Sequence, residues 1–157
     1  MIRIQHEDFD LQTETNLLRA DNAQTGAICC FTGLVRDFGD KNNLSGLFLE
    51  HYPGMTEKSL QHIIEQAHER WPIQKVHVIH RIGQLMLGDQ IVFVGVSSAH
   101  RQAAFAACEF IMDYLKVQAP FWKKELTQNG EAHWVDAKHS DHHRADRWQT
   151  ANDQSSE

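Results

Sequence analysis

The chain lacks any apolar run long enough to span a membrane, and its first residues, MIRIQHEDFD, lack the apolar core of a signal peptide. These two absences make the cytoplasm the expected compartment. Positive charge is also in short supply. Fifteen Lys and Arg stand against 21 Asp and Glu, giving a formal charge of -6 with neutral histidines. That balance argues against non-specific binding to nucleic acid or to an anionic membrane surface, yet it leaves room for a local basic pocket. Cysteine is scarce. Cys29, Cys30 and Cys108 are odd in number and spaced for neither a disulfide framework nor a paired zinc motif. Two buried thiols on a strand and a reducing compartment are the expectation. P-loop, Rossmann-glycine, nucleophile-elbow and HExxH patterns are all missing.

What remains suffices for one domain, since 157 residues can bury a core without staples. Residues 1–148 are read as that domain and 149–157 as a flexible, polar C-terminal tail. A short strand over 1–6 precedes a helix near 10–20, capped by Asp10. The run GAICCFTGLV (26–35) reads as a buried strand, 36–43 as an exposed polar loop, and 44–51 as another strand. In 54–71, Leu60, Ile63, Ile64, Ala67 and Trp71 recur at spacings of three and four, which marks a helix that Pro72 ends. A strand through Val76 and Val78, a turn at Gly88-Asp89 and the strand IVFVGV (91–96) follow. A second long helix spans 98–117, with Ser97 or Ser98 as its cap, Ala103, Ala107, Phe110, Ile111 and Tyr114 inward, and Pro120 stopping it. Strands at 121–126 and 132–136 should form a hairpin around Asn129-Gly130. This alternation predicts a two-layer α/β domain.

Lys116, Lys123 and Lys124 gather around a helix end and a proline. A lysine in a helix's last turn is ordinarily a solvated partner of the dipole. Burial and neighbouring cations would instead favour a neutral, reactive amine, and Lys116, beside Tyr114 and Leu115, is expected to be partly enclosed. His100 and Arg101 begin the same helix, where unpaired N–H groups suit an anion, although solvent exposure would accommodate Arg101 equally well. Arg36 opens the polar loop after the central strand. His133, His139, His142 and His143 read as solvated residues and not as a zinc site, because no closed four-ligand set is evident. His77 and His80 read as satisfied strand residues.

The blocks FTGLVRDF (31–38), LEHYPGMTEKSL (49–60), VHVIHRIGQL (76–85), GDQIVFVGVSSAHR (88–101), FIMDYLKVQAPFWKKE (110–125) and WVDAKHSD (134–141) are similar to those of the molybdopterin synthase large-subunit family. The resemblance spans about 25–148. It implies a two-layer α/β hammerhead fold with a small antiparallel β subdomain, assembled as a central homodimer with a small ubiquitin-like sulfur-carrier subunit at each end. The implied reaction moves sulfur from the carrier's C-terminal Gly-Gly thiocarboxylate to cyclic pyranopterin monophosphate (precursor Z), forming the dithiolene of molybdopterin without a metal or other cofactor. By position, the DYLK lysine Lys116 and the FWK lysine Lys123 are the implied catalytic residues. Leu34, Val35, Arg36, His100, Arg101, Lys124, Glu125 and Lys138 are the implied substrate-binding residues. Leu34 stands where relatives often carry lysine, and Lys138 where arginine is expected. The readings set against this one are a relative that has lost turnover and a small phosphate-binding protein using the start of the 98–117 helix.

Overall fold

The computed structural model describes residues 1–19, 21, 23–37, 44–135 and 139–150. Their order is β1 (Ile2–Gln5), α1 (Leu11–Leu17), β2 (Ala27–Leu34), β3 (Leu44–His51), α2 (Met55–Arg70), β4 (Ile73–Arg81), β5 (Gly83–Met86), β6 (Gln90–Ser98), α3 (Arg101–Gln118), β7 (Phe121–Thr127), β8 (Ala132–Val135) and α4 (His139–Thr150). They build two four-stranded sheets, ordered β1-β4-β6-β2 and β5-β3-β7-β8. Only β1 with β4 is parallel; the second sheet is antiparallel throughout. A mixed α/β fold with a smaller antiparallel sheet is therefore present.

The two long helices form because their apolar residues fall on one stripe, and both lay that stripe on the first sheet. Leu60, Ile63 and Ala67 of α2 meet Ala107, Phe110 and Ile111 of α3 over Val78, Val94 and Val96. The sheet's other face is closed by Phe9 and Leu18 packed on Ile79 and Phe93. Gly95 makes this closure possible, since a Cβ there would sit 2.4 Å from Leu18 Cδ1. The second sheet has its own small core of Leu44, Leu47, Leu49 and Leu85, to which Val35 is added.

Several local expectations change. Ser97 and Ser98 belong to β6 and do not cap α3. The Ser97 hydroxyl accepts from the Lys75 N–H at 3.0 Å, and Ser98 donates to the Pro72 carbonyl at 3.0 Å. His100 is the cap residue, with no side-chain cap bond. The β2 strand lies at the sheet edge and is not buried on both faces, so Cys30 is exposed and Cys29 only half-buried. The N-terminal helix ends at Leu17, short of the 10–20 span. Neither β5 nor α4 was anticipated. α4 runs through Gln149 and Thr150, and residues 151–157 of the expected tail lie outside the described residues. Asp113, buried on α3, holds α4 by accepting from the Trp148 indole N–H at 2.8 Å and from Arg147 at 3.0 Å. Trp148 then fits edge-on against Trp71 and Phe110, each with centroids 5.5 Å away.

Candidate active site

A cavity of about 770 Å³ opens between the two sheets, at the C-terminal end of α3. Three chain segments bring cations to it. Lys116 comes from the last turn of α3, Lys123 from β7, and Arg36 from just beyond β2. Arg144 of α4 adds a fourth, and Glu109, Asp113 and Asp141 also border the space. The turn between α3 and β7 sets the spacing of the two lysines. Pro120 stops the helix, and its carbonyl accepts from the Thr56 hydroxyl at 3.0 Å, which ties that turn to the start of α2. Thr56 is itself buried and accepts from the Tyr52 N–H at 3.0 Å.

Strand geometry decides which β7 residues face the cavity. Lys123 lies between Leu49 and Val135 in register, and all three border the space. Lys124 points to the other face of the strand, where its ammonium sits 5.5 Å from the Trp134 ring centre. Glu125 shares Lys123's face but is one pair further along, opposite Leu47 and His133, and does not border the cavity. On the β2 side, Val35 is clamped to the Gly88-Asp89 turn by two backbone bonds, Val35 N–H to Asp89 at 2.9 Å and Gly88 N–H to Val35 at 2.7 Å. That clamp directs Leu34 and Arg36 at the opening.

Lys116 is exposed in the single chain, contrary to the expected partial enclosure, and Lys123 is half-buried. His100 and Arg101 are exposed at the opposite end of α3 and are not brought to this cavity within one chain. Lys138 lies outside the described residues.

Sequence reasoning passed over two residues here. Arg144 became visible only once α4 existed. His80, read as a satisfied strand residue, borders the cavity and is buried. Its ring stacks on Phe121 with centroids 3.8 Å apart, and its Nδ1 lies 2.8 Å from the Arg81 carbonyl. Burial lowers its pKa to about 4 despite that hydrogen bond, and the nearby Lys116 and His51 charges push the same way. It is a neutral imidazole, with Nδ1 donating to Arg81 and Nε2 left as the acceptor. The isolated HR of VIHRIG was its only sequence signal.

Among the described residues, no three His, Cys, Asp or Glu side chains are grouped to hold a metal. His142 and His143 are exposed on α4, and the side chain of His139 lies outside the described residues. No described helix is long and apolar enough to cross a membrane.

The family model described as MoaE protein matches residues 4–118. The molybdopterin synthase catalytic subunit of Vibrio cholerae is 60% identical over 148 residues, covering 94% of this chain and 97% of that one. Among solved structures, the molybdopterin biosynthesis MoaE protein of Burkholderia ambifaria superposes with a TM-score of 0.80 at 51% identity, covering 94% and 97% of the two chains. The molybdopterin synthase of Staphylococcus aureus gives 0.79 at 32% identity, covering 85% and 96%.

Proposed function

Since the chain belongs to the MoaE protein family, whose members are sulfurtransferases of molybdenum cofactor biosynthesis, we propose that it is the catalytic subunit of a molybdopterin synthase and that its cavity carries out the transfer. The sulfur donor is the C-terminal thiocarboxylate of a small ubiquitin-like carrier, and the acceptor is cyclic pyranopterin monophosphate. One observation carries the reading: Lys116 and Lys123, from different elements, border a single cavity together with Arg36.

The chemistry fits these groups. Both the carrier tail and the cyclic phosphate are anionic, so a cationic cavity in a chain of formal charge -6 concentrates them locally. The thiocarboxylate sulfur bonds to a pterin carbon as a C–O bond of that carbon breaks and its oxygen leaves, as water or with the phosphate; a water then attacks the acyl carbon and breaks the acyl C–S bond. Sulfur stays on the pterin and the carrier leaves as a carboxylate. The tetrahedral intermediate at the acyl carbon bears an oxyanion, which an ammonium at Lys116 stabilises while Lys123 assists or moves a proton. Two such transfers complete the dithiolene. No cysteine of this chain is required, because the carrier supplies the sulfur.

His100 and Arg101 supply the phosphate site, but from a second copy of the chain. Sixteen residues of helix separate His100 from Lys116, about 24 Å at 1.5 Å per residue. A two-fold homodimer can set one copy's helix start beside the other's helix end. Enclosure of the exposed Lys116 then comes from the partner copy and the carrier tail. The deciding experiment is single turnover with precursor Z and thiocarboxylated carrier. Molybdopterin formed in proportion to carrier consumed supports the reading, and carrier binding without product defeats it.

A further inference from the structure

Three cysteines that sulfur transfer does not use, Cys29, Cys30 and Cys108, are among the residues that border the same cavity. Strand alternation separates the adjacent pair. Cys29 packs into the core cluster that contains Cys108, whereas the Cys30 Sγ lies 3.8 Å from the Thr15 hydroxyl on α1, across the sheet. Cys29 of β2 and Cys108 of α3 therefore form the pair. The Cys108 thiol donates to the Val94 carbonyl at 3.6 Å. The neighbouring Cys108 side chain draws the Cys29 thiol down to about 7 against the opposing effect of burial, while Cys108 is driven far up by the same partner and by its own burial.

We propose that Cys29 and Cys108 constitute a reactive dithiol in the cavity wall, which a peroxide converts to an intrachain disulfide. In the first step the Cys29 thiolate attacks one peroxide oxygen and the O–O bond breaks. Cys29 becomes a sulfenic acid and hydrogen peroxide leaves as water. In the second step the Cys108 sulfur attacks the Cys29 sulfur and a second water departs, so that two thiols and one peroxide give one disulfide and two waters. Exposure and thiolate character make Cys29 the attacking residue; Cys108, buried beside it, is the resolving one. A bond between Cys29 and Cys30 would require adjacent strand residues to turn to one face, which a β-strand does not permit. Cys30 and Cys108 are kept apart by the sheet.

The test uses the full-length chain, a stoichiometric amount of hydrogen peroxide, alkylation under denaturing conditions and peptide mass mapping. The expected result is a fall from three free thiols to one per chain, a peptide pair joined through Cys29 and Cys108, and full return with reductant. Cys30→Ser should retain the reaction, whereas Cys108→Ser should stop at a Cys29 sulfenic acid trapped by a dione reagent. A disulfide through Cys30, a bond between chains, or three thiols surviving peroxide that oxidises free glutathione would overturn the proposal. None of these readouts depends on sulfur transfer, so the proposal stands or falls separately from that reading.

Discussion

His80 lies face to face with Phe121, ring centroids 3.8 Å apart and planes 19° from parallel. The contact joins the end of β4, in one sheet, to the start of β7, in the other, two residues before Lys123. Together with the Thr56 bond to Pro120, it sets where β7 leaves α3 and hence where Lys123 stands relative to Lys116. Residues with no part in the chemistry thus determine the geometry of those that have one.

The neutral state of His80 carries a stability consequence with a defined sign. Its pKa in the fold is about 4, below the ordinary 6.5, so the unfolded chain binds the proton more readily. Stability contributed by the buried neutral ring is intact above about pH 6.5 and is lost as the pH falls towards 4. The full loss is on the order of 3 kcal/mol, at 1.36 kcal/mol for each pH unit separating the two values. Urea midpoints measured at pH 7 and pH 4.5 should fall more steeply for the natural chain than for His80→Gln. Parallel slopes would show that His80 protonates freely in the fold.

Lys116→Ala should reduce single-turnover sulfur transfer by roughly 10²-fold or more, the range associated with losing a positioned proton-transfer or oxyanion-stabilising group. Because Lys116 is exposed, the variant should melt within about 0.5 kcal/mol of the natural chain. Lys123→Ala should be severe with residual activity. Near-normal product from a folded Lys116→Ala chain would remove this lysine from the mechanism.

If the site is shared, two inactive variants should rescue each other. Lys116→Ala and Arg101→Ala chains, dissociated and reassociated together, form mixed dimers in which one of the two sites carries every natural residue. Activity should rise well above either parent alone. Verified mixed dimers that stay inactive would place all essential groups within one chain.

Trp148 anchors the α4 helix through both packing and a hydrogen bond. Trp148→Ala removes the packing on Trp71 and Phe110 and the bond to Asp113, and should destabilise the fold by about 2–4 kcal/mol. Trp148→Phe keeps much of the packing and should lose closer to 1 kcal/mol, the usual worth of one hydrogen bond. Because α4 also carries Arg144, one of the cations bordering the cavity, the alanine variant should weaken retention of the anionic substrates there as well. Denaturation curves that overlay the natural chain's would mean that α4 is not docked in solution.

The sequence by itself determined what depends on local periodicity. Leu60, Ile63, Ile64 and Ala67 on one side and Ala107, Phe110 and Ile111 on the other repeat every three or four residues, so both long helices and their buried faces were legible. Pro72, Pro120 and Asn129-Gly130 marked their own boundaries, with Gly130 taking the positive φ of 78° that the hairpin needs. The two lysines stand seven residues apart around Pro120, close enough in the chain to be read as a pair. Tertiary structure decided the rest. Four-residue β5 is too short to show a pattern, and α4 is polar except where Ala145 and Trp148 meet the core, so neither announced itself. Whether β2 lies inside the sheet or at its edge depends on strand order, which no local pattern encodes, and that order exposed Cys30 and Leu34. His80, Arg144 and the Cys29–Cys108 pair entered the cavity only because distant segments folded together, and the rigid length of α3 kept His100 and Arg101 out of it.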